Sequence, residues 1–123
     1  MANLISIQLN SSDKVSKNLT KVENLVDSAC NNIVTGSDNP NPVIVLPECF
    51  SIFGTSKSNM LKAAEYIDEG PIQEFLSNLA KTYHAYIVGG TTPVLASETE
   101  QIADKYYAAS LVYNPSGERI ARY

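Results

Sequence analysis

The 123-residue sequence has no tryptophan, a single histidine and few basic residues. Its 9 lysines and arginines are outnumbered by 13 acidic residues, which gives a formal net charge of −4. Nucleic-acid surfaces need clustered Lys and Arg, and membrane-surface helices need a basic polar face. No apolar run approaches the ~18 residues of a membrane span. The sequence therefore predicts a protein with neither a nucleic-acid partner nor a membrane partner.

The sequence also lacks targeting and metal-binding features. No basic or Arg-rich leader precedes the strand-like pattern that begins at Leu4. The two cysteines, Cys30 and Cys49, are typical of a reducing compartment without disulfides. His84 has no second His or Cys at ligand spacing, which argues against a metal site. We expect a cytoplasmic protein that uses no cofactor.

Two amphipathic helices are the clearest predicted elements. In the first, apolar residues recur at steps of three and four over residues 15–33, after possible N-cap residues at 11–13. In the second, a similar stripe covers residues 72–83 and follows the break at Gly70-Pro71. A shorter helix is predicted over Asn59–Ile67. The pattern of helices and strands predicts the order β-α-β-α-α-β-β-β and a mixed sheet in a layered α/β fold.

The predicted strands are Leu4–Leu9, Val43–Leu46, Ala85–Gly89, Tyr106–Tyr113 and Glu118–Tyr123. Val43–Leu46 is apolar at every position, which predicts burial on both faces. Turns are expected at Gly36–Pro42 and Asn114–Gly117, and a polar surface loop at Thr92–Asp104. Because domain boundaries normally fall in polar linkers, an end inside a strand at Tyr123 indicates an incomplete domain.

Glu48 is the candidate functional residue. It follows the Val43–Leu46 strand, at the strand end where open α/β sheets place their ligand crevice. A carboxylate there suits a general base, although position alone favours an ordinary solvated glutamate. Cys49 could be a paired nucleophile, but adjacent side chains on extended backbone point in opposite directions, so we interpret it as a small buried residue. The pair Gly89-Gly90 indicates a tight turn or a close backbone approach.

The segment Leu46-Pro47-Glu48-Cys49-Phe50 resembles the nitrilase superfamily of carbon–nitrogen hydrolases, and within it the ω-amidase branch. Further segments resemble these amidases in the same order, so that the similarity covers nearly the whole chain: Ala64–Ile67, Phe75–Lys81, Ile87–Thr91, Asp104–Tyr107 and Tyr113–Gly117.

The resemblance implies an αββα sandwich, homo-oligomerisation of the complete enzyme and a Glu-Lys-Cys catalytic set acting on small amides, such as the ω-amides of 2-oxo acids. Glu48 matches the general base. The lysine is expected just beyond Tyr123 and the nucleophile further on, and Cys49 does not match the nucleophile's motif. Ser51–Gly54 and Ala108 depart from the branch's pattern, which leaves substrate details open. Residues 1–123 are thus predicted to be the N-terminal portion of the domain, inactive alone.

Two other interpretations remain. The chain could be a non-catalytic truncated homologue that associates with a full-length subunit or a C-terminal half, because an unfinished sheet exposes an unpaired edge and apolar surface. It could also be an unrelated small α/β domain.

Overall fold

The computed structural model describes residues 3–33, 40–96 and 105–123. Residues 36–39 of the predicted turn cluster and residues 97–104 of the predicted loop lie outside this part of the chain. In chain order the elements are β1 (Leu4–Ser6), α1 (Val15–Cys30), β2 (Val43–Val45), α2 (Lys57–Ala63), α3 (Pro71–Tyr83), β3 (Tyr86–Val88), β4 (Thr92–Leu95), β5 (Tyr106–Ala109), β6 (Leu111–Tyr113) and β7 (Arg119–Arg122).

Five strands form a mixed sheet in the order β1-β2-β3-β6-β7. The first three are parallel, because each connection between them passes through helical segments. The last two run antiparallel, and the predicted hairpin turn at Asn114–Gly117 joins them. Asn114 Oδ1 accepts the backbone N–H groups of Ser116 and Glu118, both at 3.0 Å, which fixes this turn. The predicted α/β class with a mixed sheet is confirmed.

The core lies between one face of the sheet and the helices α1 and α3. Ile44 and Ile87, at the centres of β2 and β3, are fully buried. Val22 of α1 and Leu76 of α3 pack into the same buried cluster. Both predicted apolar stripes therefore face the core, as the helical period requires.

The opposite face of the same sheet is apolar but only partly covered. Strand pairing aligns two rows of side chains across it, Leu4–Val43–Tyr86 and Ser6–Val45–Val88–Val112–Ala121. We call these eight residues the open face. Leu4 is 73% exposed and Tyr86 38% exposed. Val43 and Val45 are half-buried, whereas Ile44 and Leu46 are buried, so the predicted burial of β2 on both faces holds on the helix side only.

Two strand predictions are wrong in detail, and the observed order has two more strands than predicted. Thr92–Leu95 is not a surface loop but the strand β4, in which Thr92 and Val94 are buried. Tyr106–Tyr113 is not one strand. It divides at Ser110 into β5, which pairs with β4, and β6, which pairs within the main sheet. The polar composition of residues 92–104 favoured a loop in place of β4. The break at Ser110 results from a change of pairing partner, which the local sequence does not show.

Helix ends also differ from the prediction. The residue that caps α1 is Lys14, without a side-chain cap, rather than one of residues 11–13. The helix ends at Cys30, so that Ile33 lies beyond it. The short helix α2 covers Lys57–Ala63 rather than the predicted Asn59–Ile67. It ends before Glu65 because Glu65 pairs in a β-bridge with Val94. None of the helices in the described ranges has the length and apolar character that a membrane crossing requires.

Candidate functional site

A tight turn carries Glu48 away from the end of β2. Leu46 N–H still donates to Val88 O at 2.9 Å, and the turn begins after it. Cys49 has φ of 54°, in the left-handed region that non-glycine residues seldom adopt. The backbone is thus not extended at Cys49. The extended-strand geometry from which we expected the Glu48 and Cys49 side chains to point in opposite directions is therefore wrong. Phe50 is fully buried and ties the end of the turn to the core.

The backbone after β3 approaches this turn closely at Gly90. A Cβ atom at Gly90 would fall on the Pro47 carbonyl, and the glycine has φ of +42°. A side chain there would therefore force the two segments apart. The close backbone approach that the Gly89-Gly90 pair predicts is confirmed, and its partner is the residue that precedes Glu48.

Thr91 holds the turn on its other side. Its Oγ1 accepts the Cys49 N–H at 2.8 Å and lies 3.9 Å from Cys49 Sγ, to which its hydroxyl donates weakly. The Cys49 thiol, which is half-buried and free, is thus directed towards Thr91. The predicted burial of Cys49 is therefore only partial, and Thr91 is the partner that the structure gives its side chain.

A buried polar network fixes the chain just after the turn. Asn18 of α1 has no exposed surface, and its Nδ2 donates to Ser51 O at 2.9 Å and to Ser12 O at 2.8 Å. The Ser12 N–H donates to Asn18 Oδ1 at 2.8 Å. Ser51 Oγ shares a 2.8 Å hydrogen bond with Thr92 Oγ1. Because unpaired buried polar groups cost stability, the helix, the turn and β4 are held in one arrangement.

Glu48 itself is exposed at the tip of this anchored segment. Within the described residues its carboxylate has no hydrogen-bond or ion-pair partner. The arrangement is a rigid turn that presents an available carboxylate at the carboxyl end of a central parallel strand. Such a group can accept a proton from a substrate or a nucleophile that reaches it.

A second polar region lies apart from Glu48, between α3 and the β6–β7 hairpin. It is a groove of about 440 Å³ whose lining includes Asp68, Ser77, Lys81 and Arg119. The Arg119 guanidinium donates two hydrogen bonds to Asp68, at 2.7 and 2.8 Å, and this contact lowers the pKa of the Asp68 carboxyl. Burial raises the pKa of Tyr113, which also lines the groove, to about 12. The groove's arginine is already paired, so it offers no free guanidinium to a ligand.

The fold and the turn define a layered α/β protein with a carboxylate at the carboxyl end of its parallel strands. Comparison with family models matches residues 4–123 to the carbon–nitrogen hydrolases. The chain belongs to the carbon–nitrogen hydrolase family. The resemblance to the nitrilase superfamily seen in the sequence is thereby confirmed.

Relatives of known description include ω-amidases. A hydrolase of Schizosaccharomyces pombe is 38% identical over 91 residues, which are 72% of this chain and 26% of that protein. An ω-amidase of Saccharomyces cerevisiae is 36% identical over 84 residues, or 66% of this chain and 27% of the relative. An ω-amidase of Pongo abelii is 32% identical over 123 residues, or 98% of this chain and 38% of the relative. The chain spans between 26% and 38% of the length of these relatives.

Solved structures show the same fold. Saccharomyces cerevisiae Nit3, a member of branch 10 of the nitrilase superfamily, superposes with a TM-score of 0.78 at 28% identity, over 99% of this chain and 43% of that chain. An N-terminal amidase gives a TM-score of 0.76 at 22% identity, over 98% of this chain and 27% of that chain. The second likeness concerns the fold alone.

The sequence pattern indicates Glu48 as a candidate and the glycine pair as a close approach, but it does not reveal the residues that hold the turn. In the sequence, Thr91 stands out only as the end of the segment Ile87–Thr91, and Thr92 only as the start of a predicted loop. Asn18 gave one signal: it lies three residues after Val15 and four before Val22, on the apolar stripe, where a polar residue needs a buried partner. The identity of that partner depends on contacts between residues 33 positions apart, which no local pattern reports.

Proposed function

We propose that residues 1–123 are the N-terminal part of an amidase domain that hydrolyses small carbon–nitrogen bonds, with Glu48 as general base. The observation that carries the proposal is the anchored turn after β2, which presents an unpaired carboxylate at the carboxyl end of a parallel strand. Membership of the carbon–nitrogen hydrolase family and the ω-amidase relatives support the reaction class. Small ω-amides of 2-oxo acids are the proposed substrates.

The proposed mechanism is covalent catalysis by a Glu-Lys-Cys set, of which this chain supplies the glutamate. The Glu48 carboxylate accepts the proton of a cysteine thiol, and the thiolate attacks the amide carbon. The lysine ammonium stabilises the oxyanion. Glu48 returns its proton to the leaving nitrogen, ammonia departs and a thioester remains. Glu48 then takes a proton from water, which attacks the thioester and releases the acid and the thiol.

The family resemblance implies that the lysine and the nucleophile lie outside these 123 residues, and we propose that they do. Cys49, whose thiol faces Thr91, is not the nucleophile of this proposal. The chain alone is therefore expected to release no ammonia from 2-oxoglutaramate. Turnover of any size by the isolated chain would contradict the inactivity. Turnover that survives Glu48→Gln would also contradict the role of Glu48.

A chimera provides the positive test. This chain replaces the matching N-terminal segment of the Saccharomyces cerevisiae ω-amidase, which supplies the remaining catalytic residues. Glu48→Gln is expected to lower kcat at least ~100-fold, because general acid–base catalysis contributes factors of that order. Glu69→Gln changes an exposed glutamate in the same chain and is the matched control. A Glu48→Gln chimera with unchanged kcat would refute the assignment.

The open face supports a second candidate function, in which the chain is a non-catalytic partner of a full-length subunit or a C-terminal half. A sheet that is apolar on both faces is stable when both are covered. Four of the eight residues of the open face, Leu4, Ser6, Tyr86 and Ala121, are exposed in the described part of the chain. The complete enzyme is likewise proposed to form a homo-oligomer. Size-exclusion chromatography tests the association: a stable monomer that forms no complex with a family member would rule it out.

A further inference from the structure

The geometry points to Thr91 as a positioning residue, which holds Glu48 in place through the backbone of Cys49. This inference rests on the proposed role of Glu48 as general base. It adds a residue that touches neither the substrate nor the reacting atoms. Its test is designed so that the position of Glu48 is measured separately from catalysis.

The Cys49 amide is the group through which Thr91 acts. It is the peptide N–H that directly follows Glu48, so its direction fixes the plane of the Glu48–Cys49 peptide. Thr91 Oγ1 accepts this N–H at 2.8 Å. The same oxygen lies 3.9 Å from Cys49 Sγ. One hydroxyl thus contacts both the backbone and the side chain of the residue next to the base.

The conformation of Cys49 explains why the turn needs such a contact. A residue with a side chain at φ of 54° is in a sparsely populated region, and such residues persist when surrounding groups hold them. The backbone of Gly90 packs against Pro47, and Thr91 binds Cys49. These two neighbouring residues therefore hold both sides of Glu48.

Thr91 is itself held firmly enough to serve as a support. Gly89 N–H donates to Leu111 O at 2.8 Å, and Gly90 N–H to Val88 O at 3.0 Å. On the other side, the buried Thr92 begins β4 and shares its hydroxyl with Ser51. The support thus extends from β3 and β4 to the turn, and a change in the Thr91 side chain removes the direct contact with Cys49 alone.

The decisive variant is Thr91→Val, which keeps the shape of the side chain and removes the oxygen. Thr91→Ser restores the oxygen and is the rescue variant. Thr20→Val is the matched control, because it removes a threonine hydroxyl that bonds Ser16 O on the exposed surface of α1. All three are made in the full 123-residue chain.

Three measurements report on the turn. The first is the rate of thiol alkylation at Cys49, with Cys30 of the same molecule as internal reference. The second is the hydrogen-exchange rate of the Cys49 amide. The third is the ¹³C resonance of the Glu48 carboxyl, assigned with Glu48→Gln.

Thr91→Val is expected to raise both rates at Cys49 about fivefold, the factor that loss of one neutral hydrogen bond implies, and to shift or broaden the Glu48 resonance. Cys30 keeps its rate.

Thr91→Ser is expected to match the wild-type values and Thr20→Val to leave all three unchanged. Equal acceleration of Cys30 and Cys49 would show general destabilisation and overturn the inference. So would an unchanged Glu48 resonance in Thr91→Val. In the ω-amidase chimera, Thr91→Val is expected to lower kcat about tenfold, as misplacement of a catalytic group does, while KM changes less than about twofold because substrate contacts remain.

The two proposals fail separately. If Glu48→Gln leaves the chimera active while Thr91→Val loosens the turn, Glu48 is not the base but Thr91 still positions it. If Glu48→Gln abolishes activity and Thr91→Val changes neither the turn nor kcat, Glu48 is the base and the inference about Thr91 is wrong.

Discussion

Glu65 shows how one buried carboxylate organises its surroundings. Its side chain accepts the backbone N–H of Ile72 at 2.6 Å and that of Gln73 at 3.0 Å. These are among the first N–H groups of α3, which have no partner within the helix. The N-cap position is Gly70, which has no side chain to serve them. Glu65 therefore acts as the cap of α3 from outside the helix, and its charge complements the helix dipole.

Glu65→Ala is expected to destabilise the chain by about 2 kcal/mol, because two buried N–H groups lose their acceptor. Glu69→Ala is the control, because the Glu69 side chain is exposed. The hydrogen bond that Gln73 donates to Glu69 goes to the backbone carbonyl, which the substitution keeps. Urea unfolding followed by circular dichroism measures both. Equal unfolding free energies for the two variants would show that Glu65 does not cap α3.

At the scale of elements, an ion pair joins the segment before α3 to β7. Arg119 holds Asp68 through two hydrogen bonds. The Asp68 N–H also donates to Gln73 Oε1 at 2.8 Å, so that the same residue binds both α3 and the last strand of the sheet. The hydrogen bonds from Arg119 lower the pKa of Asp68 below its ordinary value of 3.8.

This lowered pKa predicts acid-sensitive stability. A carboxyl whose pKa is lower in the folded state stabilises the fold above its unfolded pKa and loses that contribution as the pH falls through the folded pKa. The Asp68 side chain is 61% exposed, so solvent limits the pair to about 1 kcal/mol or less. Asp68→Asn should thus destabilise the chain at pH 7, and the difference from wild type should shrink as the pH falls below 3.8.

Urea titrations at pH 7 and at successively lower pH test this. The control is Glu69→Gln, which removes an exposed carboxylate with no ion-pair partner among the described residues and should differ little from wild type at pH 7. A difference between Asp68→Asn and wild type that stayed constant with pH would contradict an electrostatic origin.

At the scale of the whole molecule, the open face is the surface through which we expect the chain to associate. Its rows of aligned side chains include Leu4 and Tyr86, exposed by 73% and 38%. Contiguous apolar surface of this kind is seldom left uncovered in a stable monomer. The chain is therefore expected to self-associate through this face when no other layer covers it.

The double variant Leu4→Lys/Tyr86→Lys is expected to weaken self-association about tenfold or more, because two charges must then be desolvated at the contact. Its unfolding free energy should change by less than about 1 kcal/mol, since both side chains are already exposed. Leu25→Lys/Tyr66→Lys adds the same charge at residues exposed by 39% and 43% elsewhere. Sedimentation velocity over a concentration series distinguishes the pairs. Identical behaviour would show that the open face is not the contact.

The sequence by itself determined the features that depend on neighbouring residues. The helical stripes of α1 and α3, the strand β2 and the hairpin at Asn114–Gly117 all follow local periodicity or turn chemistry. The position of Glu48 after β2 follows from the same reasoning, and the ordered motifs identified the family. These signals extend over a few residues, so they can be read without knowing which segments meet.

Only the tertiary structure decided which segments meet. It made Thr92–Leu95 a buried strand, divided the chain at Ser110 between two sheets, and placed the Glu65 carboxylate on α3. It also brought Asn18 and Thr91 to the turn that carries Glu48. Each of these depends on a hydrogen bond or strand pair between distant residues, and a residue's own neighbours in the chain do not specify a partner that lies tens of positions away.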